Sequence, residues 1–421
     1  MAERAAYSGT GPQRFADWVP DPGLVDHERT IDMARLRTYR YQRVQEQLRS
    51  RDYGAVLLYD PVNIRYATGT RNMTVWTMHN AARYCLVPAQ GPAVLFDYRN
   101  CEHLSQGIET IGETRPGKFW YYFCVGAKQP QRVKTWADEI DSVLRERSGA
   151  NRRLAVDHLD VEGRDALAAL GIQLFNGQEP LEYARSIKSP EEIACMVASV
   201  AVCEAGLARI RGAIEPGRTE IELWSILNAT NSEMGGEYME TRLLSSGSRT
   251  NPWYRECSSR RVRAGDLIGI DTDMVGPFGY NADMSRTFFC GPGRPTGQQR
   301  TLYGLAHEQV QSNIALLRPG LAFRELAERA WRPPEPYAAL AAGVVIHGIG
   351  MCNEYPQVVP NQYFEATGYD GHLQEGMTVC VESYIGEKGG AQGVKLEQLV
   401  LICRDGPRVI STFPFEEELL G

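Results

Sequence analysis

Three aspartates stand close together in the stretch 265–290, GDLIGIDTDMVGPFGYNADMSRTFFC. An apolar run precedes Asp271, so this aspartate is expected at the end of a buried strand, and strand alternation places Asp273 on the same face. A Gly-Pro turn at 276–281 then reverses the chain, and Asp283 lies on the returning strand. Three carboxylates on one side of a hairpin repel each other and lose hydration. The cluster therefore predicts a bound cation in preference to a solvated acidic turn.

Two glutamates interrupt apolar strands near the C-terminus. Glu382 lies in GMTVCVESYI and Glu397 in GVKLEQLVLI, and the turn between these strands predicts a hairpin that brings both glutamates to one place. His347 follows an apolar run in VVIHGIGMCNEYP, among glycines that allow close approach of the backbone. A lone histidine is more often a core residue, and a lone glutamate more often faces solvent. The combination is what indicates a site.

These residues form an oxygen-rich set of ligands with a single nitrogen. Such a set suits two adjacent hard or borderline divalent ions, for which manganese, iron, cobalt and zinc are all candidates. Two ions in one cluster would be bridged by carboxylates. The predicted ligands are Asp271, Asp283, His347, Glu382 and Glu397.

The composition is that of an ordinary soluble protein with room for two domains in 421 residues. The net charge is −7 and no block of Lys or Arg occurs, which argues against nucleic-acid or anionic-membrane partners. The first residues lack the apolar segment of a signal peptide, and the longest apolar run, 338–346, is too short to span a bilayer. Ten scattered cysteines without a CxxC pair fit buried free thiols in a reducing cytoplasm.

The first part of the chain alternates between strand and helix patterns, which predicts a small α/β domain over residues 30–187, preceded by an extended arm, 1–29. The region 61–76 reads as a polar-aromatic loop. The predicted helices are 29–51, 133–146 and 162–169, and the predicted strands are 55–60, 83–89, 92–98 and 154–159.

The second domain, 188–421, opens at a clear helix start. Ser189-Pro190-Glu191-Glu192 is a capping box with proline at the first helical position, and Thr219 to Glu222 is a second capping box. These signals predict helices to about 214 and 233. Further helices are expected at 297–317 and 322–331, before a β-rich part at 343–411. The order of two helices, a hairpin, two helices and another hairpin predicts an internally duplicated α+β unit.

The order Asp, Asp, His, Glu, Glu on these strands resembles the pita-bread superfamily of methionine aminopeptidase, prolidase, aminopeptidase P and creatinase. The resemblance covers the whole chain and implies an α+β, pita-bread catalytic domain with a smaller N-terminal α/β domain. It implies that Asp271 binds one ion and that His347 and Glu382 bind the other, while Asp283 and Glu397 bridge them. It also implies a homodimer.

Within the superfamily the chain is most similar to the dimethylsulfoniopropionate lyase branch. This resemblance implies β-elimination on a small zwitterionic acid, iron as the preferred metal, and Asp273 as an additional acid of the metal cluster. Peptidases of the superfamily carry two histidines beside the metals, where this chain has Trp253 and Asn353. The stretches that carry the resemblance are NIRYATGTRNMTVW, GGEYMETRLLSSGSRTNPWYREC, DTDMVGPFGYNADMSR and HGIGMCNEYP.

Asn353 departs from the lyase branch, in which this position carries an aspartate that serves as the base. An amide cannot act as a base at neutral pH. The base must then be another group, such as Asp273 or a water activated by the metal ions, or the reaction is a different one. The alternative is a metal-dependent C–N hydrolase of the ectoine-hydrolase or Xaa-Pro peptidase type. A binding protein without activity is disfavoured because the ligands are complete.

A cationic sulfonium group needs aromatic faces around it. The candidates for this cage are Trp253 and Tyr254, in an Asn-Pro-Trp-Tyr turn before the metal hairpin, together with Tyr355, Trp76 and Tyr66. Tyr355 lies close to Asn353 in the chain, and the two are counted with Asp273 as candidate catalytic residues. Any one of these rings taken alone is more often a core residue. Residues 61–79 are expected to reach the site across a dimer interface, as the family implies.

Overall fold

A computed structural model describes residues 31–421, so the predicted arm, 1–29, lies outside the described residues. The described chain forms two compact units that divide between Arg185 and Ser186. The boundary expected from the sequence lies between 187 and 188. Each unit has its own hydrophobic core.

The first unit is built on a six-stranded mixed sheet in the order β4-β3-β2-β1-β5-β6. The neighbours β1, β2 and β3 pair antiparallel, whereas β4, β5 and β6 join their neighbours in parallel. Its strands are β1 (Ala55–Leu58), β2 (Tyr84–Pro88), β3 (Ala93–Asp97), β4 (Ile111–Pro116), β5 (Arg153–Val156) and β6 (Gln173–Asn176). Its helices are α1 (Met33–Ser50), α2 (Pro61–Thr68), α3 (Thr74–His79), α4 (Tyr122–Val125), α5 (Gln129–Ser148), α6 (Val161–Ala169) and α7 (Gln178–Ser186).

The loop predicted at 61–76 is wrong, because this region forms α2 and α3. The side chain of Asp60 accepts hydrogen bonds from the backbone N–H groups of Val62 and Asn63, and Pro61 occupies the first helical position. This arrangement satisfies the free N–H groups of the first turn. The Asp-Pro pair was therefore a helix start.

The second unit begins with two helices whose starts the sequence identified. Ser189 and Glu192 form a capping box at α8 (Pro190–Ala213), and Thr219 and Glu222 form one at α9 (Glu220–Glu233). The strands that follow are β7 (Tyr238–Met239), β8 (Leu244–Ser246), β9 (Leu267–Asp271), β10 (Met274–Val275), β11 (Asn281–Ala282) and β12 (Ser285–Phe289). Then come α10 (Gly297–Leu316), α11 (Phe323–Arg329), β13 (Ile346–Ile349), β14 (Asn353–Val358), α12 (Asn361–Thr367), β15 (Thr378–Gly386), β16 (Gly393–Cys403), β17 (Gly406–Val409) and α13 (Glu417–Leu420).

Three sheets carry the strands of this unit, in the orders β11-β10-β7, β12-β9-β8 and β14-β13-β15-β16-β17. Side chains of β12 join the second sheet to the third. Thr287 Oγ1 donates to the carbonyl oxygen of Lys395, and the guanidinium of Arg286 donates to that of Glu397. The order of helices and hairpins is the one predicted for a pita-bread domain.

Helix α8 is the one helix between residues 31 and 421 that is long and apolar enough to cross a membrane. Most of its apolar stretch, 61%, is buried inside the protein. Its Ser199 hydroxyl donates to the carbonyl oxygen of Pro277, in the turn of the aspartate hairpin. These contacts are those of a core helix that supports the hairpin.

Candidate metal centre

The first hairpin brings the three aspartates together. Asp271, the last residue of β9, lies opposite Ser285 on β12, and the same register continues to the pair Met274–Ala282. Asp273 and Asp283 therefore lie opposite each other, although both fall between the regular strands. All three aspartates are buried. The predicted hairpin is present, with a break in each strand beside the acids.

Asp273 does not reach its place by strand alternation. Strand β9 ends at Asp271, and Asp273 has a left-handed backbone with φ of 34°. The hydroxyl of Thr241 donates to Asp273 Oδ2 over 2.7 Å, and the backbone N–H of Glu240 donates to the Asp273 carbonyl oxygen over 3.0 Å. A non-glycine residue held in this conformation costs about 1–3 kcal/mol, so the surroundings impose it. The expectation of a shared strand face was wrong in its geometry.

The second hairpin places Glu382 on β15 directly opposite Glu397 on β16, as predicted. His347 on β13 lies opposite Cys380 on β15. Directly paired residues share a face, as do residues two apart on one strand, so all four side chains lie on one face of three adjacent strands. A β-bulge after His347 is permitted by Gly348, where a Cβ would lie 2.5 Å from the carbonyl oxygens of the neighbouring strand.

The His347 ring points into the carboxylates. Its Nε2 lies 3.3 Å from Glu397 Oε1 and 3.6 Å from both Asp283 Oδ2 and Glu382 Oε1. Its Nδ1 lies 3.2 Å from the carbonyl oxygen of Gly348, which can only accept, so Nδ1 carries a proton. This contact leaves the Nε2 lone pair directed at the cluster in the neutral ring, the arrangement of a metal-binding histidine.

Lys395 is a buried cation inside the same cluster. Its Nζ lies 3.0 Å from Glu382 Oε2, 3.1 Å from Glu397 Oε2 and 3.5 Å from Asp271 Oδ2. The ammonium also donates to Ser285 Oγ over 2.9 Å. The Ser285 oxygen in turn lies 2.6 Å from Asp271 Oδ1 and 2.7 Å from Glu397 Oε2. These contacts fix one side of the site.

Burial and mutual repulsion displace the pKa values of the cluster. Burial raises the pKa of Asp271 and Asp283 well above the usual range, and the neighbouring carboxylates add to the effect. Burial acts against ionised Glu397 as well, but the charge of Lys395 and contact with His347 outweigh it and hold its pKa well below normal. Burial lowers the pKa of His347, yet the hydrogen bond to Glu397 and the charge of Glu382 raise it to about 9.

The donor set fits two divalent cations. Among the described residues, Asp283 Oδ1 is a buried oxygen without a hydrogen-bond partner. When the five acids are ionised, the one ammonium of Lys395 leaves four negative charges, which two divalent ions would neutralise. A cluster of this kind is costly to bury without cations. The acids are Asp271, Asp273, Asp283, Glu382 and Glu397.

The Asn-Pro-Trp-Tyr turn holds one exposed and one buried aromatic ring. Burial and the charges of Glu382, Asp271 and Glu397 raise the pKa of Tyr254, while the residue is 72% exposed. Tyr254 also has a left-handed backbone, with φ of 72°. Trp253 is buried instead, with its ring against Gly269, where a Cβ would lie 2.8 Å from the indole.

Two of the other rings proposed for the cage lie in the first unit. Tyr66 is buried at 1% exposure, and its hydroxyl donates to the carbonyl oxygen of Ala184 over 2.8 Å. A ring packed in this way has no face for a ligand, so Tyr66 is a core residue of its own unit. Trp76 is partly exposed on α3 and lies 5.9 Å from the Tyr98 ring.

Asn353 is the exposed first residue of β14, opposite Ile349 on β13. Tyr355, two residues later, is half-buried, and its ring packs against Phe323 and Tyr369 at centroid distances of 5.9 and 5.8 Å. Both residues lie on the strand beside the one that carries His347. Their catalytic roles stay predictions.

Four polar residues of the site were missing from the sequence-based set. Cys380, Ser285 and Lys395 each lie two residues from a predicted ligand on a strand or its extension. Strand alternation, which was used to predict the ligands, therefore places these three on the same face. Thr241, which holds Asp273, comes from a separate segment and has no comparable signal.

Comparison with known proteins places both units in described families. Residues 40–187 match the creatinase/prolidase N-terminal domain, and residues 194–404 match metallopeptidase family M24. The chain is 38% identical to dimethylsulfoniopropionate lyase DddP of Roseovarius nubinhibens over 97% of this chain and 91% of the relative. It is 37% identical to the same lyase of Roseobacter denitrificans over 93% and 88%. These matches confirm the resemblance that the sequence motifs indicated.

Several solved peptidase structures have the same fold. An Xaa-Pro dipeptidase from Bacillus anthracis superimposes with a TM-score of 0.73 at 20% identity, covering 90% of this chain and 98% of the other. A prolidase from Pyrococcus furiosus gives 0.69 at 20% identity, covering 87% and 98%. At this identity the likeness shows the fold alone, and it confirms the pita-bread architecture with its smaller N-terminal domain.

Proposed function

The chain belongs to metallopeptidase family M24 and to the dimethylsulfoniopropionate lyase branch within it, and we propose that it cleaves dimethylsulfoniopropionate, or a similar small zwitterionic acid, by β-elimination. The products are dimethyl sulfide and acrylate. The observation that carries this proposal is the likeness to two such lyases over nearly the whole chain. The peptidase relatives are similar over shorter stretches and at lower identity.

The proposed cofactor is a pair of divalent ions, with iron as the first choice and manganese, cobalt or zinc as alternatives. When bound, the ions would hold the substrate carboxylate and make the adjacent proton more acidic. The residues that would hold them share one buried cluster. They are Asp271, Asp273, Asp283, His347, Glu382 and Glu397.

The turn at Trp253 and Tyr254 supplies the recognition of the cationic head. Tyr254 is exposed, and the charges of three carboxylates of the cluster help to raise its pKa, so we assign the sulfonium to the face of its ring. A cation over an aromatic face gains about 0.5–2 kcal/mol. Trp253 packs beneath and keeps the turn in place. Trp253 cannot shuttle a proton for peptide hydrolysis as histidine does.

We assign the base to Asp273 because Asn353 cannot accept a proton at neutral pH. Thr241 occupies Asp273 Oδ2, which leaves Oδ1 to take the proton next to the substrate carboxylate. The electron pair of that C–H bond becomes the double bond of acrylate, and the C–S pair leaves on dimethyl sulfide.

A second candidate function is hydrolysis of a C–N bond at the same centre. It is favoured by Asn353, since hydrolysis does not need an acid at that position. Family M24 and the peptidase fold neighbours are consistent with it. The substrate would again be a small zwitterion or an Xaa-Pro peptide.

The protein is also proposed to be a cytoplasmic homodimer. All ten cysteines are free thiols, which supports a reducing compartment. The first unit exposes several large apolar residues, which support a subunit interface. They are Met73, Val75, Trp76 and Met78 near α3, and Tyr122 and Phe123 on α4.

The direct test is to supply metal-loaded protein with dimethylsulfoniopropionate and measure dimethyl sulfide by headspace gas chromatography. The native protein should release it, and Glu397→Gln should lose nearly all release because a bridging carboxylate is gone. Glu375→Gln, an exposed change in the same unit, is the matched control. If native protein that holds its metals releases none, the elimination proposal is wrong and the hydrolase remains.

A further inference from the structure

Cys380 is a thiol inside the metal centre that the proposed elimination does not use. It is fully buried on β15, two residues before Glu382 and directly opposite His347 on β13. Its side chain therefore lies on the strand face that carries the predicted ligands. The other cysteines include several that are equally buried, such as Cys85 in the sheet of the first unit.

The position of the thiol matches the spacing of a coordination sphere. One donor atom each from Asp283, His347, Cys380 and Glu397 lies within 4.8 Å of the other three. An ion bound at about 2.0–2.3 Å from its ligands places opposite ligand atoms about 4–4.6 Å apart. The four side chains thus converge on a space of that size with only small shifts.

The present partners of these atoms leave bonding capacity unused. Asp283 is 3% exposed, and its Oδ1 has no hydrogen-bond partner within residues 31–421. The Cys380 thiol donates a weak hydrogen bond to the Asp283 carbonyl oxygen, which lies 3.5 Å from the sulfur. A buried oxygen without a partner beside a weakly bonded thiol is an arrangement that can coordinate a cation.

We propose that Cys380 is a sulfur ligand of the ion held by Asp283, His347 and Glu397, and that it makes this position selective for zinc, iron(II) or cobalt(II) over manganese or magnesium. Thiolate sulfur is a soft ligand that favours the former ions, whereas carboxylates alone suit the latter. When the S–metal bond forms, the thiol proton passes to solvent. The inference concerns the donor set and holds for elimination and hydrolysis alike.

Cobalt(II) added to metal-free protein is the probe. The native protein should develop a thiolate-to-cobalt charge-transfer absorption, and Cys380→Ser should lose it while still binding cobalt through its remaining ligands. Cys85→Ser, a buried cysteine of the other unit, should keep the band. In competition between the two ions, the preference for cobalt over manganese should fall by at least about tenfold in Cys380→Ser. Tenfold is the lower end of the loss in metal affinity that follows when a residue supporting a ligand is replaced. Persistence of the band in Cys380→Ser would overturn the assignment.

A second measurement needs no variant. X-ray absorption of the zinc-loaded native protein should show sulfur at about 2.3 Å in addition to nitrogen and oxygen at about 2.0 Å. A shell of nitrogen and oxygen alone would assign Cys380 to packing against Asp283. Because neither readout uses the substrate, a failure here is distinct from a failure of the dimethyl sulfide assay.

Discussion

At the scale of single residues, Lys395 holds the acidic cluster together before metal binds. Its ammonium contacts Asp271, Glu382 and Glu397 in a buried setting. Lys395→Met should destabilise the metal-free protein by roughly 3–5 kcal/mol, the cost of leaving buried charges without a partner. Bound divalent ions replace the lost charge, so the metal-loaded variant should lose much less.

Denaturant unfolding of both forms checks this prediction. Lys388→Met, in the exposed turn of the same hairpin, is the matched control and should change neither form. Equal losses for Lys395→Met with and without metal would show that the lysine acts only through packing.

At position 353, an amide in place of a carboxylate separates the two candidate reactions. Asn353→Asp introduces a carboxylate on the strand beside His347. Because Asp273 is the proposed base, the rate of dimethyl sulfide release should stay within about tenfold of native, whereas a rise of about 10²–10⁴-fold would place the base at position 353. Gln362→Glu adds the same charge at an exposed position of α12 and is the control for added charge alone. An unchanged rate in Asn353→Asp would leave the proton transfer with Asp273.

The clustering of the acids could be predicted from the sequence because acids inside apolar strands are rare and strands alternate strictly. Glu382 and Glu397 follow this rule, and it extends to Cys380 and Lys395. It failed at Asp273, where a left-handed backbone replaces the strand. The backbone conformation of Asp273 depends on contacts with distant residues such as Thr241. A local sequence pattern does not indicate such contacts.

At the scale of elements, helix α8 is tied to the C-terminal segment through a buried carboxyl group. Glu204 Oε1 accepts hydrogen bonds from the backbone N–H groups of Thr412 and Phe413, and burial raises its pKa to about 8. Arg286 donates to the Phe413 carbonyl oxygen in the same place and to that of Glu397 in β16. This contact links the end of the chain to the metal strands.

Because the folded pKa of Glu204 lies above its ordinary value of 4.5, its stabilising effect is fully present below pH 4.5 and is lost as pH rises through about 8. Glu204→Gln imitates the neutral form and should flatten the loss of stability between pH 5 and 9 by on the order of 4 kcal/mol. Unfolding by denaturant at both pH values measures it. Glu365→Gln, an exposed control, should behave as the native protein does, and a native-like slope in Glu204→Gln would contradict the argument.

The first two helices of the second unit were predictable because capping signals in the adjacent sequence mark their first residues. The capping boxes at Ser189 and Thr219 fixed α8 and α9. At α2 the Asp60-Pro61 pair carried an equivalent signal, but polar and aromatic residues beyond it favoured a loop. The mixed pairing of the first sheet could not be predicted, since it depends on contacts between distant segments.

At the scale of the whole molecule, the first unit presents a row of aromatic rings. The rings follow one another in the order Trp76, Tyr98, Phe119, Tyr121 and Phe123. The centroids of successive rings lie 5.1 to 6.1 Å apart. Phe123 is 83% exposed at the end of the row. An exposed apolar surface of this kind is typical of a subunit interface.

Phe123→Glu should convert the proposed dimer to a monomer, as measured by size-exclusion chromatography with light scattering. The buried charge would cost several kcal/mol in an apolar interface. Tyr363→Glu, an exposed aromatic position in the second unit, is the control and should leave the dimer intact. A monomeric native protein, or a Phe123→Glu variant that stays dimeric, would contradict this interface.

Elimination on a sulfonium acid and hydrolysis of a peptide are distinguished by their products. We would compare kcat/KM of one metal-loaded preparation for dimethylsulfoniopropionate and for an Xaa-Pro dipeptide, following acrylate and free proline by NMR. We expect this M24 chain to give acrylate and dimethyl sulfide in equal amounts and little or no proline. Release of proline without acrylate would contradict this expectation and identify the chain as a peptidase.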